Sequence, residues 1–327
     1  MRVRFISDQG VESCSRDDLP VLLARTDGLV WVDIPEWDEA AEQTLTTTFG
    51  FHPLAVRDSA QRNSVPKIHV YDDHLFLVLH APHPGAGGHV HYVELDQFVG
   101  ERYLVSVHGP LNRAVDPAAA MVEVDAVLAR LDGGKLKPDK GCELSYALLT
   151  ALTGRLRSFT AELTKDVWAL EQRVTGGHLG DPESFLEEMF RARHGLLTVS
   201  TMSALSREVY SRMVTLEVFG PGSGQALLRD AVDQFQHLSV MAETQKAYLQ
   251  GTIEFYQART NTKMTVAAER LAVIAAVTLP VTALSSVLGV NLIVNDHTEW
   301  IPLAVTLIVM LGMSAMLLIW ARRKGWF

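Results

Sequence analysis

The chain has 327 residues and a formal net charge of −9 at pH 7. An acidic balance, with no basic patch interleaved with aromatics, argues against nucleic acid as a partner. Two cysteines, Cys14 and Cys142, do not make a disulfide framework or a Cys-x-x-Cys metal site, and they suit a reducing cytosol.

Met1 to Gln9 lacks an apolar run of the length a signal peptide needs, so none is expected. Val3 to Ile6 and Leu29 to Ile34 read as short strands. Asp38 to Phe49 reads as a helix, and His52 to Asp58 as a helix start with Pro53 in its first turn. Lys67 to Tyr71 and Leu75 to His80 read as strands around an Asp72-Asp73 turn. Pro82 to Gly88 is a turn-rich loop. His89 to Val99 and Tyr103 to His108 form a further strand pair, and Pro117 to Leu131 a helix. Residues 1–140 thus read as a mixed α/β domain.

From Lys140 the pattern becomes helical. Glu143 to Val174 has helical apolar spacing and a charged face. Gly176, Gly177, Gly180 and Pro182 interrupt it, and Ser184 to Val218 is a second helix. Gly220-Pro221-Gly222-Ser223-Gly224 breaks that one. From Ala226 no strong breaker follows until Pro280, and proline is tolerated in a membrane helix. The reading is one continuous helix from about Ala226 to Asn291, roughly 100 Å long at about 1.5 Å per residue. An apolar stripe of Leu228, Val232, Phe235, Ala242, Leu249, Ile253 and Tyr256 offers the two preceding helices a seat. Residues 141–270 are therefore read as a helical bundle.

Leu271 to Val290 carries no charge and is long enough to cross about 30 Å of hydrocarbon. It also holds Thr278, Pro280, Thr282, Ser285, Ser286 and Gly289, more polar and small residues than a plain lipid anchor needs. Residues 292–299 make a short loop, and Trp300 to Trp320 forms a second span. Arg322, Arg323 and Lys324 follow it in the tail 321–327. Basic residues beside a span stay cytoplasmic, so both termini are expected inside and the loop outside. A seven-residue repeat, Glu254, Asn261, Ala268, Ala275, Thr282 and Gly289, runs along the long helix, with Thr265, Leu271, Leu279 and Ser286 between its members. Such a repeat keeps one stripe on the axis of a left-handed supercoil. This stripe is polar or small. It fits either a close helix pair or the wall of a water-filled hole.

Several motifs together resemble a known family. They are His52-Pro53-Leu54 with Asp58; Pro66-Lys67, Tyr71, Asp73, Leu75 and Phe76; Leu279-Pro280-Val281-Thr282 with Gly289-x-Asn291; and Arg322-Arg323-Lys324-Gly325-Trp326. In this order they are similar to the CorA-type divalent-cation transporters, which include magnesium channels and ZntB-type zinc transporters. The resemblance implies a CorA-like homopentamer: an α/β cytoplasmic domain, a long-helix bundle and two C-terminal transmembrane helices, the first lining the pore. It implies Gly289, Val290 and Asn291 at the outer mouth, Thr282 as a deeper polar ring, Leu279 and Leu271 as apolar constrictions, and Thr265 near the cytoplasmic entrance. Glu254 matches an acidic position that senses intracellular cation. Two departures stand out. Val290 replaces the methionine of the magnesium members, as in the zinc branch, and Pro84 to His91 lacks the acid expected to pair with Glu254.

Other residues leave two readings open. His69, His74, His80, His83, His89 and His91 cluster in sequence, and His89 and His91 share a strand face. They are either metal ligands or surface histidines. Asp296, His297 and Glu299 either draw cations to the outer mouth or sit in a solvated loop. No nucleophile motif, P-loop or Gly-x-Gly-x-x-Gly is present, so no enzyme and no cofactor is expected. The expected function is a divalent-cation channel or transporter in the inner membrane, passing Mg²⁺ first and Co²⁺ or Ni²⁺ next into the cytosol. The expected partners are copies of itself, the bilayer and the cations, with a divalent cation also as regulatory ligand. The alternatives are a zinc transporter of the ZntB type, proton-coupled, and a non-conducting membrane-anchored scaffold or sensor.

Overall fold

The computed structural model describes residues 1–177, 181–220, 222–292 and 300–323; for 288–292, 302 and 303 only the backbone course is described. The chain forms two units, Met1–Thr252 and Ile253–Phe327.

The first unit is built on a seven-stranded sheet. Its strands are β1 (Arg2–Ser7), β2 (Gly10–Cys14), β3 (Gly28–Ile34), β4 (Lys67–Val70), β5 (Leu75–Pro84), β6 (Val90–Val99) and β7 (Tyr103–Val107), in the order β2-β1-β3-β7-β6-β5-β4. β3 and β7 pair in parallel, and the other neighbours are antiparallel. Six of the seven residues of β3, and eight of the ten of β5, are buried. That is the signature of strands covered on both faces. One face packs Phe5, Val30, Val32, Phe76, Phe98 and Val105 against Leu19, Leu45, Phe51 and Val56. These last come from α1 (Leu19–Ala24), a π-turn at Thr44–Thr48 that continues α2 (Glu39–Gln43), and α3 (Pro53–Ser59) with the segment leading into it.

The opposite face is covered by α5 (Val122–Asp132), α6 (Gly141–Gly176) and α7 (Pro182–Thr215), with α4 (Pro117–Ala120) leading in. Arg155 fastens α6 to the sheet. It donates to the Pro82 carbonyl at 3.0 Å and the Ala119 carbonyl at 2.8 Å, and it pairs with the buried Glu123 carboxylate at 3.1 Å. The long helix α8 (Ser223–Leu292) buries Leu228, Ala231, Phe235, Leu238, Ala242 and Leu249 within this unit. The apolar stripe therefore does pack inward, with Ala231 and Leu238 added and Val232 only half-buried.

Several predicted elements need correction. β2 and α1 were not anticipated: β2 is a polar edge strand with no buried residue, and α1 is a short helix with Pro20 in its first turn. The helix over Asp38 to Phe49 widens after Gln43, where the Phe49 N–H reaches the Thr44 carbonyl. The helix over Pro117 to Leu131 breaks at Met121, whose backbone sits at φ −90°, ψ −7°. β5 runs on to Pro84, so the loop contracts to a turn in which Gly87 and Gly88 adopt positive φ. Pro182 begins α7 rather than breaking the chain. It is the first helical residue, with the Asp181 carboxylate accepting from the Ser184 N–H at 3.0 Å.

One buried ion cluster ties β1, β3, β7 and α5 together. Asp33 is 2% exposed. It accepts from Ser106 Oγ at 2.6 Å, His108 Nε2 at 3.1 Å, Arg2 Nε at 2.9 Å and Arg2 Nη2 at 2.7 Å. Arg2 also reaches Asp125 at 2.6 Å. Burial pushes the Asp33 carboxyl up, but His108, Ser106 and Arg2 outweigh it and hold the group below the usual carboxylate range. A depressed folded-state pKa gives stability that is present above the unfolded value of about 3.9 and lost as pH falls through the folded one. Asp33→Asn should therefore cost about 3 kcal/mol at pH 7. That is a fall of roughly 6–12 °C in melting midpoint for a unit of this size. The deficit should shrink in melts run at progressively lower pH. An equal deficit at every pH would assign the effect to packing rather than charge.

Candidate functional site

The second unit is a helical hairpin. The C-terminal part of α8 is joined through residues 293–299 to α9 (Trp300–Arg323), and both helices are long and apolar enough to cross a membrane. The less exposed large side chains of the apolar part of α8 are Val273, Val277, Pro280, Val281 and Leu284, which recur at threes and fours; Ala275, on the seam, is also half-exposed. Those of α9 are Thr306, Met310, Met313, Ser314, Leu317 and Ala321. Ser285 Oγ lies 3.6 Å from Met310 Sδ between the helices. One stripe of α8 thus faces one stripe of α9.

The seven-residue seam lies on the other side of α8. At about 100° per residue, Asn261, Ala268 and Thr282 fall roughly opposite the stripe centred on Val277 and Leu284. Thr265, Leu271, Leu279 and Thr282 are all exposed within the chain, Leu271 at 67% and Leu279 at 66%. Glu254 is exposed on the same seam. The hydroxyls are not left wanting. Thr265 Oγ1 donates to the Asn261 carbonyl at 3.0 Å, Thr278 Oγ1 to Ile274 at 2.9 Å, and Thr282 Oγ1 to Thr278 at 2.8 Å. Each has its proton engaged within its own helix and keeps oxygen lone pairs for whatever lies beyond. α9 differs: its exposed side chains include Ile301, Val305, Ile308, Leu311, Met316 and Ile319.

The helix backbone continues through Gly289, Val290 and Asn291 to Leu292, but their side chains lie outside the described residues, as do Asp296, His297 and Glu299. The histidines divide. His89 and His91 come together with rings 6.1 Å apart, and His194 of α7 sits edge-on to His89 at 6.2 Å. Among the described residues, however, no group of three His, Cys, Asp or Glu side chains is placed to hold a metal. His74 and His80 are not surface residues. His74 is enclosed between Phe51, tilted at 4.6 Å, and Tyr71, stacked at 4.7 Å. His80 Nε2 lies 2.8 Å from the Asn63 carbonyl, and burial lowers its pKa, so it is a neutral imidazole donating from Nε2.

Beside His80 lies a feature that the sequence reading passed over. Glu94 and Asp96 alternate on β6 and so share a face, with His80 opposite Glu94 and Val78 opposite Asp96. Glu94 accepts from the Asn63 backbone N–H at 2.8 Å and from Asn63 Nδ2 at 2.5 Å. Asp96 is fully buried; neither oxygen makes a well-formed hydrogen bond, and only the Ser59 hydroxyl favours its ionised form at close range. Burial pushes the Asp96 carboxyl well above its usual range, and the Glu94 charge pushes it further. Burial raises the Glu94 carboxyl as well, against the pull of its Asn63 donors, so the two acids hold a proton between them rather than both ionising, with Asp96 the more strongly raised. The signal was present as two acids two residues apart in an apolar strand. An acid with a raised folded pKa costs stability as pH rises from its unfolded value toward the folded one. Asp96→Asn, which carries a permanent donor, should raise the melting midpoint at pH 8 and leave it unchanged near pH 4. A midpoint that falls equally at both would contradict the protonated form.

Comparisons with known proteins agree on one family. Residues 26–323 match the model of the CorA-like Mg²⁺ transporter protein family. YfjQ of Bacillus subtilis (strain 168) is 26% identical over 306 residues, spanning 91% of this chain and 89% of that protein. The complete CorA magnesium transporter of Methanocaldococcus jannaschii superposes with a TM-score of 0.81 at 14% identity, covering 100% of this chain and 99% of the other. The ZntB cytoplasmic domain of Vibrio parahaemolyticus gives a TM-score of 0.61 at 11% identity, covering 80% of this chain and 98% of the other. At these identities the two structures speak for the fold. The family model, which spans most of the sequence, decides membership: this chain belongs to the CorA-like Mg²⁺ transporter family, whose members move ions rather than catalyse reactions.

Proposed function

We propose that five copies of this chain form a pore for divalent cations, lined by the exposed seam of α8 and passing Mg²⁺ into the cytosol. The observation that carries this reading is the contrast between the two helices. The face of α8 turned away from α9 interleaves the hydroxyls of Thr265 and Thr282 with Leu271 and Leu279, while the exposed face of α9 is aliphatic throughout Ile301, Val305, Ile308, Leu311 and Ile319. Apolar side chains suit lipid, whereas a polar seam suits neighbouring copies and water. The number five rests on the family resemblance.

The membrane placement has its own support. Trp300 and Trp320 are 77% and 49% exposed. At about 1.5 Å per residue they stand roughly 30 Å apart along α9, the thickness of a hydrocarbon core. Aromatic residues gather at both interfaces, and Arg322 and Arg323 beyond Trp320 support a cytoplasmic placement of that end.

The chemistry of the seam favours an ion that keeps its water. Mg²⁺ dehydrates reluctantly and prefers octahedral oxygen. Threonine hydroxyls whose protons are already engaged offer lone pairs to the hydrogens of such a shell. Asn291, placed at the outer mouth by resemblance, would do the same through its carboxamide. Rings of Leu271 and Leu279 would gate by dewetting. Glu254 is assigned the regulatory cation, and Asp296 and Glu299 the attraction of cations outside. Zinc carried with protons is the second reading, supported by Val290 and by the ZntB fold likeness.

Uptake into sealed liposomes tests the proposal with dyes for Mg²⁺, Zn²⁺, Co²⁺ and Ni²⁺, with and without a proton gradient. Asn291→Ala and Thr282→Val should each cut Mg²⁺ uptake about tenfold or more, some 1.4 kcal/mol of barrier. Thr282→Val keeps the shape of the side chain and removes a hydroxyl that donates to the Thr278 carbonyl of its own helix, so the oligomer should still assemble, which size-exclusion chromatography checks. Zn²⁺ uptake that follows the proton gradient would favour the second reading. No uptake of any ion by a folded oligomer would favour a non-conducting scaffold.

A further inference from the structure

The hairpin carries its charge unevenly at one end. Lys263 and Arg270 on α8, and Arg322 and Arg323 on α9, are all exposed, and among the described residues none of them makes an ion pair. The nearest acid along α8 is Glu269.

The two helices bring these cations to one level. Measured from the Ser285–Met310 contact, Arg270 lies fifteen residues along α8 and Arg322 twelve along α9, so at about 1.5 Å per residue the two stand within about 5 Å of one height. Val273 and Ala321, at 6% and 3% exposure, are the most buried positions of the two apolar spans and mark the contact just inside that height.

They also emerge on one side. At about 100° per residue, Lys263 and Arg270 continue the edge of the α8 contact stripe marked by Val281, and Glu269 lies beyond the opposite edge, marked by Pro280. In an antiparallel pair, residues displaced in the same rotational sense from their contact lines come out on the same side. Arg322, one residue past Ala321, is displaced in that sense from the α9 line. Lys263, Arg270 and Arg322 thus form a basic flank without an acid, at the level where the apolar run beginning at Leu271 meets water.

We propose that this flank seats the phosphate of an anionic phospholipid of the cytoplasmic leaflet, with the acyl chains lying along the α8–α9 groove. Arginine forks suit phosphate oxygens, and long basic side chains beside a span reach out to the headgroup level. Anionic lipid is what the cytoplasmic leaflet offers at that depth. The assignment to that leaflet rests on the membrane placement proposed above; the phosphate contact itself does not.

The test uses the full-length protein in phosphatidylcholine nanodiscs with spin-labelled phosphatidylglycerol or spin-labelled phosphatidylcholine, reading the motionally restricted fraction. The wild type should retain phosphatidylglycerol over phosphatidylcholine. Arg270→Gln and Arg322→Gln should each reduce that preference about fivefold. Arg270→Lys should retain most of it, and Glu269→Gln should leave it unchanged. Millimolar inorganic phosphate should not displace the lipid. An unchanged preference in the Arg270→Gln/Arg322→Gln double variant, or full displacement by inorganic phosphate, would overturn the lipid seat. The leaflet is tested separately with an impermeant maleimide on Cys14 in sealed vesicles. Labelling only from the cytoplasmic side supports it, and labelling only from outside would overturn the leaflet assignment while leaving the phosphate contact standing.

Discussion

A backbone amide in hydrocarbon has no water to bond with, so every such group must be paired inside its own segment. α8 keeps a helical course over 70 residues, and Pro280, which has no N–H, leaves the Ala276 carbonyl without its helical donor. The same demand explains its threonines. A hydroxyl that donates to the carbonyl one turn back is no longer an orphan donor, and Thr265, Thr278 and Thr282 all do this. Hydroxyls can then face outward where a lipid-facing helix would carry leucine. The helix is thereby able to serve two environments. Its N-terminal part buries Leu228, Phe235, Leu238 and Leu249 in the first unit, and its C-terminal part keeps a polar seam open.

The sheet answers a different problem. β3 and β5 are buried on both faces, which leaves no room for an unpaired charge. The structure resolves this in two ways. Asp33 stays ionised because Arg2, Ser106 and His108 surround it with donors. Asp96 has no comparable set of donors, and burial beside Glu94 raises its carboxyl. Two aspartates in one sheet are thus shifted in opposite directions, and the supply of donors sets the difference.

Much of this was legible in the sequence, and the gaps have physical causes. The long helix could be read because nothing between Ala226 and Pro280 interrupts it, and its start at Ser223 differs only by the cap region. The alternating apolar strands were legible, but β2 was not, since an edge strand with no buried residue leaves no hydrophobic period. Pro182 was misread because proline stops a helix from within and starts one from its first turn, and only Asp181 before it tells which. The buried histidines were misread because sequence spacing says nothing of the Phe51 and Tyr71 rings that enclose His74. In the hairpin, the seam was legible as a period, but its opposition to the α9 contact needed the position of α9.

The central claim is that the α8 seam faces other copies of the chain while α9 faces lipid. Oxidative cross-linking tests it most directly, in a background where Cys14 and Cys142 are replaced by serine and alanine. Single cysteines are placed at Thr282 on the seam and at Ile308 on the exposed face of α9. The account predicts cross-linked dimers from Thr282→Cys in intact membranes and none from Ile308→Cys. Dimers from Ile308→Cys alone would put α9 at the centre and contradict it.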